Sequence, residues 1–512
     1  MTTAAVVTAH HLATEVGAEI LRAGGNAVDA AIAANAVAGV VAPETCGVGG
    51  DLFALIHVPG TAVPAALNSS GWAGSNVDPQ KVANEHGSMP LFGKDSITVP
   101  GCIAGWAALH ERYATRPLET LLAPAERLAV DGFSVSEELA MALTGRFDEI
   151  IGQPIADELL PEGKAPVMGA VIRRPSLGRT LSGVALSGAD SFYRGQPAAD
   201  ICAAVDHRIT PADLADFNPE WVDPIGAELF GHIGWTIPPN SQGYLTLATL
   251  AILEELGRPT DPVDRWHLEI EAYRSLAWER NDVVTEPATR PKPLDWYLDR
   301  DRLARRARSI DPDQISIWPS HDEPPGGTTA LSVWDPSGMG VTIIQSNFHG
   351  LGTTIGAGDS GFLLQNRGSS FVLDDGHPNQ LHPRHRPLHT LSPSLWTKDG
   401  ELAMLLTTRG GHQQPQVLSQ IAAGLLMDNR TGTQMQNTYR WTTSTFEAGT
   451  GSNVIVEART PQFLIDGLRE KGHAITVGRD LESGWGPVAL ITSGPSAVAD
   501  PRVAAASAIH LQ

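Results

Sequence analysis

A threonine that opens a strand directly after a glycine pair can serve as nucleophile and base together, provided the chain is cut in front of it. Gly326-Gly327-Thr328-Thr329-Ala330-Leu331-Ser332-Val333 has this form. The Thr328 hydroxyl would attack while its freed α-amine, with an ordinary pKa of about 7.7 to 8.0, takes the proton. Pairing Trp334 with Met339 across a Pro336-Ser337-Gly338 turn predicts Thr328 opposite Gln345, with Ser346 beside it to orient the hydroxyl. A plain hairpin carrying threonine in a strand accounts for the same spacing.

Other segments have weaker chemical signatures. Leu405-Leu406-Thr407-Thr408-Arg409-Gly410-Gly411-His412 runs an apolar strand into two glycines, whose unobstructed N–H groups could hold a developing oxyanion; a strand-ending turn reads the same way. His377, His382, His385 and His389 put four imidazoles in one short stretch, but the interleaved prolines and arginines favour an exposed loop over a metal site. Gly358-Asp359-Ser360-Gly361 reads as a turn.

The elements around these segments are predicted from periodicity. Leu12, Val16, Ile20 and Leu21 form a helical stripe that stops at Gly24-Gly25, and Asn26 caps a second, Ala- and Val-rich helix over 27–40. Leu52 to Ile56 is a nearly continuous apolar run, as in a buried strand. Helices are expected over 105–113, 118–130, 245–256 and 266–281, with caps at Ser134 or Ser136 and at Thr210. The stretch from Ala307 to Gly327 has Pro-, Gly- and Asp-rich loop composition, expected to be exposed and cleavable.

The 512 residues are 42% hydrophobic and 18% charged, which suits a chain with a large core. The formal charge of −21 repels nucleic acid and anionic membrane surfaces, so neither is expected as a partner. Three scattered cysteines, Cys46, Cys102 and Cys202, build no disulfide framework and fit a reducing compartment. With no basic N-terminal region and no long apolar span, a cytoplasmic protein is expected.

Taken in order, several of these segments resemble the γ-glutamyltranspeptidases and their cephalosporin-acylase-like relatives, a branch of the N-terminal-nucleophile hydrolases. They are 21–31, Val99-Pro100-Gly101, 129–133, Pro238-Pro239 with Ser241-Gln242-Gly243, Thr328-Thr329, 361–368, Arg386-Pro387-Leu388, Ser392-Pro393, Gly410-Gly411 and Ala499-Asp500-Pro501-Arg502. The resemblance implies an α/β fold, specifically a four-layer αββα sandwich. It implies a precursor that cuts itself between Gly327 and Thr328 into a large segment, 1–327, and a small one, 328–512, intertwined in one globule. Pairing of such cleaved units into a heterotetramer is a further expectation. By the same resemblance Thr328 is nucleophile and base, Ser346 its supporting hydroxyl, and Gly410 and Gly411 the oxyanion hole. No metal or organic cofactor is called for.

Departures from the family pattern bear on the substrate. The arginine that grips the glutamyl carboxylate in the family falls within Asn68-Ser69-Ser70-Gly71, the amine-binding aspartate at Ser370, a serine pair at His389-Thr390 and an asparagine at Phe348. Losing charged partners for both ends of an α-amino acid makes glutathione a poor substrate. Ser70, Trp72, Phe348, Arg367, Ser370, His389 and Thr390 are the expected substrate-binding residues, with Arg367 pairing a carboxylate and Trp72 or Phe348 lining an apolar body. The expected reaction is hydrolysis of an amide-like acyl bond in a small molecule through an acyl-threonine. Carbon–carbon cleavage of a keto-acid-type intermediate, genuine γ-glutamyl chemistry, and a non-catalytic binding protein of the same fold are the alternatives.

Overall fold

The structure is a computed structural model that describes residues 4–318, 321–322, 327–443, 445–446 and 452–512. Of the expected linker over 307–327, residues 319–320 and 323–326 therefore lie outside the described residues.

Two antiparallel sheets lie face to face. Their strands are β1 (Ala4–Thr8), β2 (Asp51–His57), β3 (Ala65–Ser69), β4 (Glu220–Val222), β5 (Ile225–Leu229), β6 (His232–Thr236), β7 (Gly327–Trp334), β8 (Gly340–Phe348), β9 (Ser394–Lys398), β10 (Glu401–Thr408), β11 (Val488–Thr492), β12 (Ser496–Val498) and β13 (Ser507–Leu511). The first sheet runs β13-β1-β7-β8-β2-β3-β4 and the second β12-β11-β10-β9-β6-β5. Alternate residues of β2, β7 and β8 explain the layering. Leu52, Ala54, Ile56, Leu331, Val333, Val341 and Ile343 join a core with helices α1 (His11–Arg22) and α2 (Ala27–Val41). Phe53, Leu55, Ala330 and Ile344 point the other way and pack on Leu395, Leu405 and Ile491 of the second sheet. Helices α3 (Tyr244–Leu256), α4 (Pro262–Ala277) and α5 (Gln414–Leu426) cover the far face of that sheet. The result is an αββα sandwich.

Helix α2 is buried at all fifteen positions, which its small apolar residues permit. Its entry is fixed by the Asn26–Asp29 capping box, and Asp29 also accepts from the backbone N–H groups of Thr115 and Arg116. The expected caps at Ser136 and Thr210 are present. The helix expected over 266–281 instead runs from Pro262 to Ala277, because Asp261 caps it with Pro262 in its first turn; a short helical turn, Arg280–Val283, follows separately.

The hairpin register differs from expectation by one residue. Asp335 Oδ1 accepts from the N–H groups of Ser337 and Met339, which puts Met339 inside the turn. Trp334 therefore pairs with Gly340 and Thr329 with Gln345. An irregularity between Gly327 and Thr329 then leaves Thr328 facing Ser346, so the supporting hydroxyl stands across from it. No helix among the described residues is long and apolar enough to cross a membrane.

Candidate active site

Thr328 and Ser346 point into the layer between the sheets, at the end of that layer where β7 begins and β8 ends. Thr328 Oγ1 lies 2.7 Å from the Gly327 carbonyl oxygen and 3.3 Å from Ser346 Oγ. Ser346 Oγ donates to the same Gly327 oxygen at 2.6 Å and accepts from the Phe348 N–H at 2.7 Å. Accepting that N–H directs the serine proton toward the carbonyl, so Ser346 polarises the Gly327–Thr328 peptide bond while touching the hydroxyl next to it. Thr328 is 1% exposed with the chain continuous through Gly327.

Gly410 and Gly411 follow the end of β10. Both have positive φ, 118° and 58°, which turns the chain sharply there and suits residues without a Cβ. Neither N–H finds an acceptor among the described residues. Arg409, just before them, forms an ion pair with Glu138 and shares the lining of a small cavity with Ala330 of β7. Gln242 ties this turn to the expected acyl pocket, since its Nε2 donates to the Thr390 carbonyl at 2.9 Å and to the Gly411 carbonyl at 3.1 Å. Arg280 Nη1 fixes Gln242 from behind at 3.0 Å.

Arg367 is fully buried and lies over the Phe348 ring, Cζ 3.6 Å from its centroid. It donates to two neutral hydroxyls, Ser370 Oγ at 3.3 Å and Thr390 Oγ1 at 3.2 Å, and its Nε has no acceptor among the described residues. Burial lowers its pKa to about 9, opposed by the nearby Asp51 carboxylate. This is a desolvated cation whose hydrogen-bond partners carry no charge.

His389 is also fully buried, although an exposed loop is expected for the histidine stretch. The stretch begins at the surface, then turns inward at Arg386, whose Nε donates to the Ser70 carbonyl. His389 Nδ1 accepts from the Leu391 N–H, so Nε2 carries the proton and donates to Asp51 Oδ2 at 3.1 Å. Burial and the Arg367 charge lower its pKa to about 4, against the hydrogen bond and charge of Asp51.

Two other expected pocket residues, on either side of Gly71, make contacts of their own. Trp72 packs edge-on against Phe217, with Arg384 and Arg386 over its ring. Ser70 Oγ donates to Asn68 Oδ1 and accepts from Asn240 Nδ2, which commits it to a buried network. Asp51, Gln242 and Gln365 are site residues that sequence reasoning missed as individuals. A charged residue opening a buried apolar strand was the available signal for Asp51. The one grouping of metal-ligand type among the described residues is Glu85, His86 and Asp95, outside the histidine stretch.

The αββα sandwich is the fold of the N-terminal-nucleophile hydrolases. The chain belongs to the γ-glutamyltranspeptidase family, whose model, Gamma-glutamyltranspeptidase, matches residues 13–509. It is 34% identical to the Glutathione hydrolase-like YwrD proenzyme of Bacillus subtilis (strain 168), over 95% of this chain and 94% of that one. It is 32% identical to the Oxamate amidohydrolase proenzyme of Klebsiella pneumoniae, over 98% and 97%. The crystal structure of cephalosporin acylase from Bacillus halodurans superposes with a TM-score of 0.92 at 32% identity, covering 99% of this chain and 96% of that one. The chain is thus an enzyme of the acylase-like part of this hydrolase family.

Proposed function

We propose that this protein is a precursor that cuts itself before Thr328 and then hydrolyses the amide of a short acyl group that carries a carboxylate and no α-amine. The observation that carries the first half is the triangle of Thr328 Oγ1, Ser346 Oγ and the Gly327 carbonyl, with contacts of 2.6 to 3.3 Å. Thr328 Oγ adds to the Gly327 carbonyl carbon, the amide nitrogen takes up the proton, the C–N bond breaks, and water hydrolyses the resulting ester. The freed α-amine then serves as base for each turnover. Substrate carbonyl carbon bonds to Thr328 Oγ, the Gly410 and Gly411 N–H groups stabilise the oxyanion, the amine leaves with a proton, and water releases the acid.

The substrate class rests on Arg367. A buried guanidinium whose hydrogen-bond acceptors are only hydroxyls favours a carboxylate, which two parallel N–H donors hold in a fixed orientation. Hydrogen bonds link Arg367 to the Gly410-Gly411 turn through Thr390 and Gln242. The name of the Klebsiella pneumoniae relative, an oxamate amidohydrolase, supports a short acidic acyl group.

The test is intact-mass analysis of purified protein before and after exposure to succinyl and γ-glutamyl p-nitroanilides. Two fragments, the smaller beginning Thr-Thr-Ala-Leu, and faster release from the succinyl compound are expected. A single active chain, or a preference for the γ-glutamyl compound, overturns the reading.

A further inference from the structure

Asp51 has no place in the reaction sketched above, yet it stands at the centre of the polar groups around it. In the β8–β2 pairing Ser346 lies directly opposite Asp51, and residues so opposed project to the same face. Thr328, Ser346 and Asp51 therefore form a row across three adjacent strands, all facing the layer between the sheets.

The carboxylate is 0% exposed and accepts three hydrogen bonds, each from a different loop. Gly71 N–H donates to Oδ1 at 2.9 Å, Gln365 Nε2 to Oδ1 at 2.9 Å, and His389 Nε2 to Oδ2 at 3.1 Å. Gly71 admits no Cβ, which would lie 1.5 Å from the Val99 carbonyl oxygen, so the backbone of that loop packs closely on Val99. Gln365 is two residues before Arg367, and His389 directly precedes Thr390. Asp51 thus fixes both segments whose side chains meet in the Arg367–Thr390 hydrogen bond.

We propose that Asp51 is a positioning residue that sets acyl selectivity. Through Gln365 and His389 it holds Arg367 aimed at a substrate carboxylate, and its own oxygens, filled by three protein donors, are closed to a substrate ammonium. The inference rests on the reading of Arg367 given above. A carboxylate placed this near the nucleophile would otherwise attract an α-amino acid. Saturation by protein donors makes it an internal counter-charge instead, and leaves the pocket suited to amine-free acids.

The substitution Asp51→Asn tests the idea through the tautomer of His389. Its carboxamide oxygen could still accept from Gly71 and Gln365, but its amino group would present N–H to His389 Nε2–H. The ring could accept that N–H only by moving its proton to Nδ1, where the Leu391 N–H already points. Thr390 should then lose its fixed place against Arg367.

The experiment compares kcat and KM for succinyl and butyryl p-nitroanilide, acyl groups of similar size that differ in the carboxylate, in the cleaved enzyme and its variants. Asp51→Asn should cut the acidic-to-neutral ratio of kcat/KM by about 10-fold, mainly through KM for the acid. Side-chain 15N NMR should show the Nε2–H tautomer of His389 in the parent and its loss in this variant. His389→Gln, which keeps a donor for Asp51, should retain the preference for acid, and His389→Leu should lose it. This second pair decides the matter if Asp51→Asn does not fold or process. Retention of the ratio in Asp51→Asn and His389→Leu while Arg367→Ala loses it overturns the role of Asp51 alone. Retention in Arg367→Ala as well, or a parent with no preference for acid, overturns the reading of Arg367.

Discussion

Ser346 Oγ donates to the Gly327 carbonyl at 2.6 Å, closer than its 3.3 Å approach to the threonine hydroxyl it is expected to support. In the continuous chain the stronger action of Ser346 is therefore on the Gly327–Thr328 bond, the one proposed to be cut. Once Gly327 leaves, the same proton becomes available to Thr328. Ser346→Ala should slow self-cleavage by about 10- to 100-fold, the cost of one hydrogen bond to a carbonyl gaining charge, and Ser346→Thr should largely restore it. A time course on denaturing gels reads both.

Gly410 holds φ at 118°, where an L side chain is strained, and its N–H has no acceptor among the described residues. Gly410→Ala should twist that donor away and lower kcat by about 100- to 1000-fold with a smaller change in KM. Steady-state kinetics with succinyl p-nitroanilide measure the split.

Glu44 is a buried carboxyl whose backbone oxygen accepts from Leu351 and whose Oε2 has no partner among the described residues. Burial, then the Glu138 charge, raises its pKa to about 8. Between its ordinary value and about 8 the unfolded chain binds fewer protons than the native one. Stability due to this group is thus full at acid pH and is lost as pH rises through that window, by up to about 1.4 kcal/mol per unit. Glu44→Gln should stabilise the protein more at pH 8 than at pH 5 in urea titrations.

His389 and His349 act in the opposite sense. Burial, with Arg367 as the second cause, lowers each to about 4, so the unfolded chain binds more protons below its ordinary pKa of about 6.5. Stability should fall as pH drops from about 6.5 toward 4, with a steepness that decreases in His389→Gln. Denaturant titrations across pH 4 to 7 follow it.

Activity should survive exhaustive dialysis against EDTA, because the α-amine of Thr328 and two backbone N–H groups carry the proposed steps. Loss on chelation, restored by a single added metal, is the contrary result in a p-nitroanilide assay.

Much of this site could be read along the chain. The glycine-to-threonine junction and Gly410-Gly411 are local patterns, Arg367 came only from the family resemblance, and the strands and helices that carry them follow hydrophobic period. The hairpin register was missed by one residue because Asp335, through side-chain bonds to Ser337 and Met339, draws the latter into the turn. Asp51 was missed for a different reason. Its three donors come from residues 71, 365 and 389, a coincidence of distant segments that no local pattern encodes.

The strand order has a consequence for the life history of the protein. In the first sheet β7 lies between β1, from before the proposed cut, and β8, from after it; β2 then follows β8. In the second sheet β9 bonds β6 across the same divide. Neither fragment owns a complete sheet, and each would expose unpaired strand edges if separated. While the chain is continuous, strands on either side of Gly327–Thr328 find one another as parts of one molecule, at high effective concentration. After cleavage that advantage is gone, so a matured molecule that unfolds has lost the covalent memory of how it was assembled. Renaturation should succeed from an uncut Thr328→Ala chain and fail in dilute solution from the cut protein, which makes maturation a one-way commitment for the fold as well as for the active site.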